Sequence, residues 1–174
     1  MKRLILSFVI ALMALGAAPA LAQKGADPAG DSIMGFAADD VEMNAAIEAA
    51  RSTFPQFLAA FGRAPATERQ YFMVKLGLTD GDGELEHIWV ESLYFDGDQL
   101  MGHLANVPVH LPNMQQGSPV EVRSEQISDW SITRADGMYG NFTTRVMLER
   151  MPAQEAAPYR AAVSATPIPA DWRI

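Results

Sequence analysis

The sequence contains no cysteine among its 174 residues. That absence excludes a disulfide-bonded scaffold, a cysteine-ligated zinc site and thiol chemistry. Basic residues are also few, because 13 Lys and Arg stand against 21 Asp and Glu, for a net charge of −8 and a pI near 4.8. Nucleic acid is excluded as a partner, since its phosphates require a basic surface. What remains is an acidic chain with the length of one globular domain.

The first 22 residues have the pattern of a secretory signal peptide. Lys2 and Arg3 are basic, Leu4 to Leu15 is an almost unbroken apolar run, and Ala20-Leu21-Ala22 fits the small-x-small cleavage pattern. We predict cleavage after Ala22 and a periplasmic or secreted location. The alternative is an uncleaved membrane anchor, but the apolar run is shorter than the roughly 20 residues that a spanning helix needs.

Cleavage would change the composition of the working molecule. Removing 22 of 174 residues leaves 152, and the loss of Lys2 and Arg3 shifts the net charge from −8 to −10. A chain of this size builds one hydrophobic core without disulfides. The absence of cysteine is therefore compatible with an oxidising compartment, and no stable membrane anchor is expected after cleavage.

Residues 23–38 lack periodicity and are predicted to form a flexible lead before a single domain over residues 39–151. Asp39 or Asp40 is expected to cap a helix whose apolar face recurs every three or four residues. Pro55 interrupts this pattern, so we predict one helix to about Arg51 and a second from about Thr53; a kinked single helix is the alternative. Gly62 is the expected C-cap. The apolar face consists of Met43, Ile47, Ala50, Phe54, Phe57 and Phe61.

From Arg69 the apolar period changes to two, which is typical of strands. Short strands separated by Gly and Asp turns predict an α+β fold, with the N-terminal helix or helix pair packed on a twisted antiparallel sheet of about five strands. Whether the sheet curls into a partly open small barrel is not fixed by the pattern. A short helix over Thr143 to Met151 and an extended Pro/Ala-rich tail over 152–174 complete the prediction. The strands are expected from Arg69, over Glu84 to Tyr94, Gln99 to Ala105, Val120 to Val122, and Trp130 to Thr133.

Several short sequence blocks occur in the order found in a known bacterial family. They are Met43 to Ile47, Phe72 to Lys75, Glu86 to Val90, Gly102, Leu104, Asn106, Pro108, Gly117, Ile127 to Trp130, and Gly140 to Arg145. In these blocks the chain resembles the YegJ-like family of bacterial domains of unknown function. The resemblance implies a fold and a bacterial source; the family has no established activity, so it implies no catalytic residues.

The second strand carries the first group of candidate site residues. Alternation places His87, Trp89 and Glu91 on one face of this strand and Glu86 on the other. One interpretation is a Glu/His acid–base pair; the other, which we favour, is a structural ion pair at a sheet face. Adjacent residues on a strand point apart, so Glu86 and His87 cannot act directly on one atom.

Glu86 stands beside two apolar residues of the same face and is therefore expected to be buried, unless both faces of the strand are covered. A buried carboxylate needs a partner, because an unpaired buried charge is costly. Arg145 and Lys75 are the candidate partners.

The dipeptide Asp129-Trp130 recurs as Asp171-Trp172 near the end of the sequence. Tryptophan buries a large area while its N–H seeks a partner, so both copies are candidate anchors. We favour packing within the domain for both. Docking of the tail on another protein is the alternative.

No metal or cofactor is predicted. The three histidines, His87, His103 and His110, form no recognised ligand spacing, although a hairpin register that sums to about 190 would place His87 opposite His103. Asp80 to Glu84, with Glu91 further along, resembles a calcium loop only weakly, and a hairpin turn explains the same residues.

The sequence has no nucleophile elbow, phosphate-binding loop or dinucleotide fingerprint. We therefore predict a non-catalytic binding or interaction module of the cell envelope, with an unknown protein or envelope ligand as its partner. Its site is expected on the polar sheet face or the loop from Val107 to Gln116. The alternatives are a small periplasmic hydrolase that uses Glu86, Glu91, His87 or Asp129, and a structural domain whose tail mediates self-association. Catalytic residues are unknown, and the binding candidates are Glu86, His87, Trp89, Asp129, Trp130 and Arg145.

Overall fold

The structure is a computed structural model that describes residues 3–6, 34–37, 39–79, 83 and 85–172. The predicted cleavage site, most of the predicted lead and residues 80–82 of the predicted hairpin turn lie outside the described residues. Among the helices of the described part, none is both long and apolar enough to cross a membrane.

The first helix, α1 (Val41–Arg63), is continuous. Asp40 caps it, because its side chain accepts a hydrogen bond from the Met43 backbone N–H at 3.0 Å. The predicted break near Pro55 is wrong, and the single-helix alternative holds. Buried residues lie on both sides of the proline, and their packing offsets the roughly 3 kcal/mol that an interior proline costs. These residues are Met43, Ala46, Ile47, Ala50, Phe54, Phe57 and Phe61.

Gly62 is not the C-cap. The helix continues through it, and Ala64 is the first extended residue after the helix. Pro65 follows directly and disfavours helical backbone at the residue before it. The proline, and not the glycine, therefore ends α1.

The sheet contains six antiparallel strands, which are β3 (Phe72–Thr79), β4 (Leu85–Asp96), β5 (Gln99–Leu104), β6 (Pro119–Glu121), β7 (Ile127–Arg134) and β8 (Gly137–Gly140). Their order is β6-β5-β4-β3-β7-β8, and the sheet does not close into a barrel. The predicted α+β class is confirmed. The predicted strands did not include β8.

Two further strands belong to the N-terminal region, β1 (Arg3–Leu6) and β2 (Met34–Ala37). β1 pairs in parallel with the start of β4, opposite Glu86 and His87, and β2 pairs with β1. β4 changes neighbour along its length, because β5 pairs with it only from Val90 onward.

Two short helices follow the sheet, α2 (Phe142–Arg150) and α3 (Ala153–Ala162). The structure corrects the tail prediction, since α3 occupies part of the segment expected to be extended. After α3 the chain runs beside β8. There the Ser164 N–H donates to the Met138 carbonyl and the Gly140 N–H donates to the Pro167 carbonyl. These bonds cover an otherwise open sheet edge.

The core lies between α1 and the sheet and is rich in aromatic side chains. Phe57 packs against Phe72 and Trp130, with centroid distances of 5.4 Å in both pairs. The Trp130 indole N–H donates to the Thr53 hydroxyl at 3.0 Å, which joins the middle of α1 to β7. This core fixes the positions of all the polar groups described next.

Candidate functional site

A row of buried side chains crosses three neighbouring strands. Lys75 on β3 lies in register with Trp89 on β4 and with Asp129 on β7. All three side chains are buried, and Lys75 and Asp129 are fully so. The Lys75 ammonium lies 4.6 Å from the centroid of the Trp89 ring, a cation–π arrangement. Two predicted site residues, Trp89 and Asp129, are thus brought together through a lysine.

Asp129 is surrounded by hydrogen-bond donors. One carboxylate oxygen accepts from the Trp130 and Phe142 backbone N–H groups at 2.8 and 2.9 Å. The other accepts from the Thr143 N–H at 2.8 Å and from the Thr143 hydroxyl at 2.5 Å. Asn141, in left-handed conformation at φ 55°, precedes α2 and makes no side-chain cap. Asp129, reaching from β7, therefore supplies the cap for α2.

Lys75 completes this network. Its ammonium donates to the Thr143 hydroxyl at 3.1 Å, so the threonine links the lysine to Asp129. Burial lowers the pKa of Lys75 to about 8, and the charge of Asp129 opposes part of that effect. Burial also raises the pKa of Asp129, against the opposing effects of Lys75 and the Thr143 donors. The network therefore joins the sheet to α2, and each of its polar groups is engaged in holding these two elements together.

Glu86 is fully buried, as its apolar neighbours predicted, but neither candidate partner binds it. Its carboxylate accepts from the Val109 N–H at 3.0 Å and from the His110 N–H at 2.8 Å. Arg145 donates instead to the Gly140 and Ser164 carbonyls, both at 2.9 Å. Glu86 therefore holds the loop after β5. This pairing could not be predicted, because it joins a side chain to the backbone of a distant segment.

The same loop presents apolar side chains to solvent. Val107 is 69% exposed and Val109 is 54% exposed. In the loop predicted as a binding element, Glu86 therefore holds the backbone by hydrogen bonds, and the side chains of the two valines are exposed to solvent.

His87 is also buried, so both faces of β4 are covered at this point. Among the described residues, neither of its ring nitrogens has a hydrogen-bond partner. Burial lowers the pKa of His87, and together with the smaller effects of the charges of Lys75 and Arg51 it brings this pKa to about 3. Such a histidine is neutral at pH 7 and unsuited to give a proton to a substrate.

His87 does not meet His103. The register pairs Glu91 with His103 on β5, while His87 stands opposite Gly77 on β3. The hairpin turn centres on Gly97 and Asp98, later than assumed, and an irregularity after Glu91 shifts the register again. Within the described residues, no three potential ligands converge to hold a metal ion.

The two Asp-Trp dipeptides meet in space. The rings of Trp130 and Trp172 stack with centroids 5.5 Å apart and an interplanar angle of 30°. Asp171 receives two hydrogen bonds from the Arg134 guanidinium, at 2.7 and 3.2 Å. Arg134 lowers the pKa of Asp171. The favoured interpretation of the repeat, packing within the domain, matches the arrangement seen here.

A cavity of about 750 Å³ opens beside this contact, between the end of α1, the start of β3 and the end of β7. Its walls include the apolar side chains of Phe72, Ile132 and Trp172, with Arg63 and Glu68 also lining it. None of the six residues predicted as binding candidates lines the cavity. Sequence reasoning missed it because its residues come from four separate segments, each unremarkable when taken alone.

Comparison with known proteins gives a consistent result. Residues 40–165 match a family described as uncharacterized proteins conserved in bacteria, DUF2314. The uncharacterized protein YegJ of Escherichia coli K12 is 30% identical over 131 residues, which are 75% of this chain and 83% of YegJ. A putative ankyrin repeat protein of Neisseria meningitidis serogroup B is 36% identical over 140 residues, 76% of this chain.

The chain spans only 55% of the length of the Neisseria relative, so the match concerns part of that protein. No solved structure matches this chain. The family match covers most of the described domain, from the cap of α1 to the segment after α3. The chain therefore belongs to the family of uncharacterized proteins conserved in bacteria, DUF2314, as its sequence blocks predicted.

Proposed function

We propose that this protein is an exported binding domain of the bacterial cell envelope and that it acts without catalysis, through the cavity beside Trp172. The observation that carries the proposal is the cavity itself. Its volume of about 750 Å³ falls within the range of ligand sites, and it combines apolar walls with a few charged groups.

The buried charged residues support a non-catalytic role. Glu86 and Asp129 both have their oxygens occupied by N–H or O–H donors that hold a loop and a helix. A general acid or base must instead reach the substrate. The hydrolase alternative, which relies on these carboxylates and on His87, gains no support from their geometry.

The ligand is expected in the mature protein isolated from the envelope of its own bacterium. Native mass spectrometry should detect a bound mass, and chemical crosslinking should detect a partner if the ligand is a protein. Ala135 is exposed and lines the cavity, so we expect Ala135→Trp to obstruct ligand entry while the buried core stays unchanged. Ala157 is exposed on α3 and outside the cavity, so Ala157→Trp is the matched control.

We expect the bound mass or crosslink in the wild type and in Ala157→Trp, and its loss in Ala135→Trp. A wild-type protein that carries no ligand, or equal occupancy in all three proteins, would overturn the proposal.

The export part of the proposal rests on the signal-peptide pattern and has its own test. Cleavage after Ala22 would remove β1 and leave β2 without its pairing partner. The six antiparallel strands and three helices lie after this point, so the 23–174 chain should fold cooperatively. Intact-mass measurement and N-terminal sequencing of the natural protein should give a chain that begins at Gln23. A natural chain that retains residues 1–22 contradicts export by cleavage.

A further inference from the structure

Two of the charged side chains that line the cavity beside Trp172 are Arg63 and Glu68. Arg63, the last residue of α1, and Glu68, just after it, are both exposed and line the cavity. Within the part of the chain that the structure describes, neither side chain forms a hydrogen bond or an ion pair, although four other arginines there pair with carboxylates. Those four are Arg123, Arg134, Arg150 and Arg160.

The cavity is also lined by apolar and aromatic side chains. Phe72 and Ile132 are buried members of the core that also line the cavity. Tyr71 lines it as well and is 46% exposed, so its ring is accessible to a ligand in the cavity. A ligand that reaches this surface would therefore place a large apolar group there.

One side of the cavity already binds a segment of this chain by the same chemistry. The segment that ends at Trp172 sets its Asp171 carboxylate on the Arg134 guanidinium and its indole against Trp130. A second peptide segment can make the same two contacts in the cavity. Its carboxylate can pair with Arg63, and its aromatic ring can pack against Tyr71.

We infer that the cavity takes a short extended peptide segment of a partner protein, in which one large apolar side chain stands between an acidic and a basic residue. The acidic side chain pairs with Arg63, the basic side chain pairs with Glu68, and the apolar side chain packs on Tyr71, Phe72 and Trp172. A volume of about 750 Å³ suits several residues better than a single free amino acid. The inference rests on the proposed function, because it names the ligand class of the same cavity.

Four capped tripeptides serve as probes, measured by isothermal titration calorimetry against the 23–174 protein. The reference peptide is Glu-Trp-Lys. Gln-Trp-Lys lacks the anion, Glu-Trp-Gln lacks the cation and Glu-Gly-Lys lacks the apolar side chain. Arg63→Gln and Glu68→Gln are the matched protein variants, and both positions are exposed, so the fold should persist.

We expect the loss of the tryptophan to weaken binding about tenfold or more. The loss of either peptide charge should weaken it about two- to fivefold, as is typical of exposed ion pairs. Arg63→Gln should weaken Glu-Trp-Lys but not Gln-Trp-Lys, and Glu68→Gln should weaken Glu-Trp-Lys but not Glu-Trp-Gln.

Absence of binding to Glu-Trp-Lys would overturn the inference, as would charge-independent affinities or affinities that neither variant changes. The proposed function is judged separately by the Ala135→Trp experiment. If the peptides fail while Ala135→Trp still displaces the natural ligand, the cavity binds another chemical class and only the peptide inference is lost. If both fail, the proposed function falls as well.

Discussion

The two Asp-Trp dipeptides have the same sequence but lie in different surroundings. Asp129 is fully buried, and burial raises its pKa, whereas the Asp171 side chain is 63% exposed and Arg134 lowers its pKa. Trp130 is fully buried in the core, while Trp172 is 7% exposed and also lines the cavity. The difference shows that a dipeptide does not define a role; the number of donors around the carboxylate and the depth of the ring do.

The largest expected effect comes from Asp129→Asn. The amide would direct a donor at the Thr143 N–H or hydroxyl and would leave the buried charge of Lys75 without its counter-charge. We expect a loss of about 3–5 kcal/mol in the free energy of unfolding, measured by urea denaturation. Asp98→Asn, in the exposed turn after β4, is the control and should leave the midpoint unchanged. An unchanged midpoint for Asp129→Asn would mean that its four donors contribute nothing to stability.

Trp172→Ala should have a smaller effect than a change at the core ring itself. The variant loses the stack on Trp130 and the burial of one large side chain, worth about 2–3 kcal/mol. Trp130 then becomes accessible to water, so its fluorescence should shift to longer wavelength. Trp172→Phe keeps an aromatic ring in place and should restore most of the stability. An unchanged emission maximum would show that the tail does not shield Trp130 from water.

The third test concerns the pH dependence of stability that the buried side chain of His87 causes. The pKa of His87 in the folded protein, about 3, lies below its unfolded value near 6.5. The unfolded state therefore binds the proton first, and stability falls as pH drops below about 6.5 towards 3. Between pH 6.5 and 5 this histidine should account for a loss of about 1.5 kcal/mol. His87→Leu should flatten that part of the stability curve, and an equal slope in both proteins would contradict the burial.

The smallest effect is expected for Asp171→Asn. An exposed ion pair contributes at most about 1 kcal/mol, and salt weakens it further. The variant should unfold within about 1 kcal/mol of the wild type at low salt, and closer still in 0.5 M NaCl. A loss similar to that of Asp129→Asn would remove the distinction between the two dipeptides.

Local patterns in the sequence predicted much of the fold. The spacing of Met43, Ile47, Phe54 and Phe61 gave the buried face of α1, and the alternation around Lys75 gave β3. The continuity of α1 through Pro55 was not predictable from local rules, because it depends on the tertiary packing of the flanking aromatic side chains.

Features that depend on contacts between distant segments escaped prediction. The partner of Glu86 is the backbone of residues 109 and 110, which carries no sequence signal. The register around His103 depends on the hairpin centre, which lies later in the chain than a sum of about 190 assumes, because Asp96 pairs with Gln99. It depends also on the irregularity beside Ser92. The cavity depends on the position of the tail, and the tail is placed by Arg134 and Trp130.

The hydrogen bonds from the loop to Glu86 affect which changes of sequence this domain can accept. The carboxylate binds backbone N–H groups, and these are the same whatever the side chain at positions 109 and 110, proline excepted. Substitutions of the exposed valines therefore leave the loop conformation in place while they change the surface it offers. Because one buried carboxylate holds the backbone of this loop, the side chains of the loop can change while its conformation is kept. Proteins of this fold with different residues here can therefore present different surfaces.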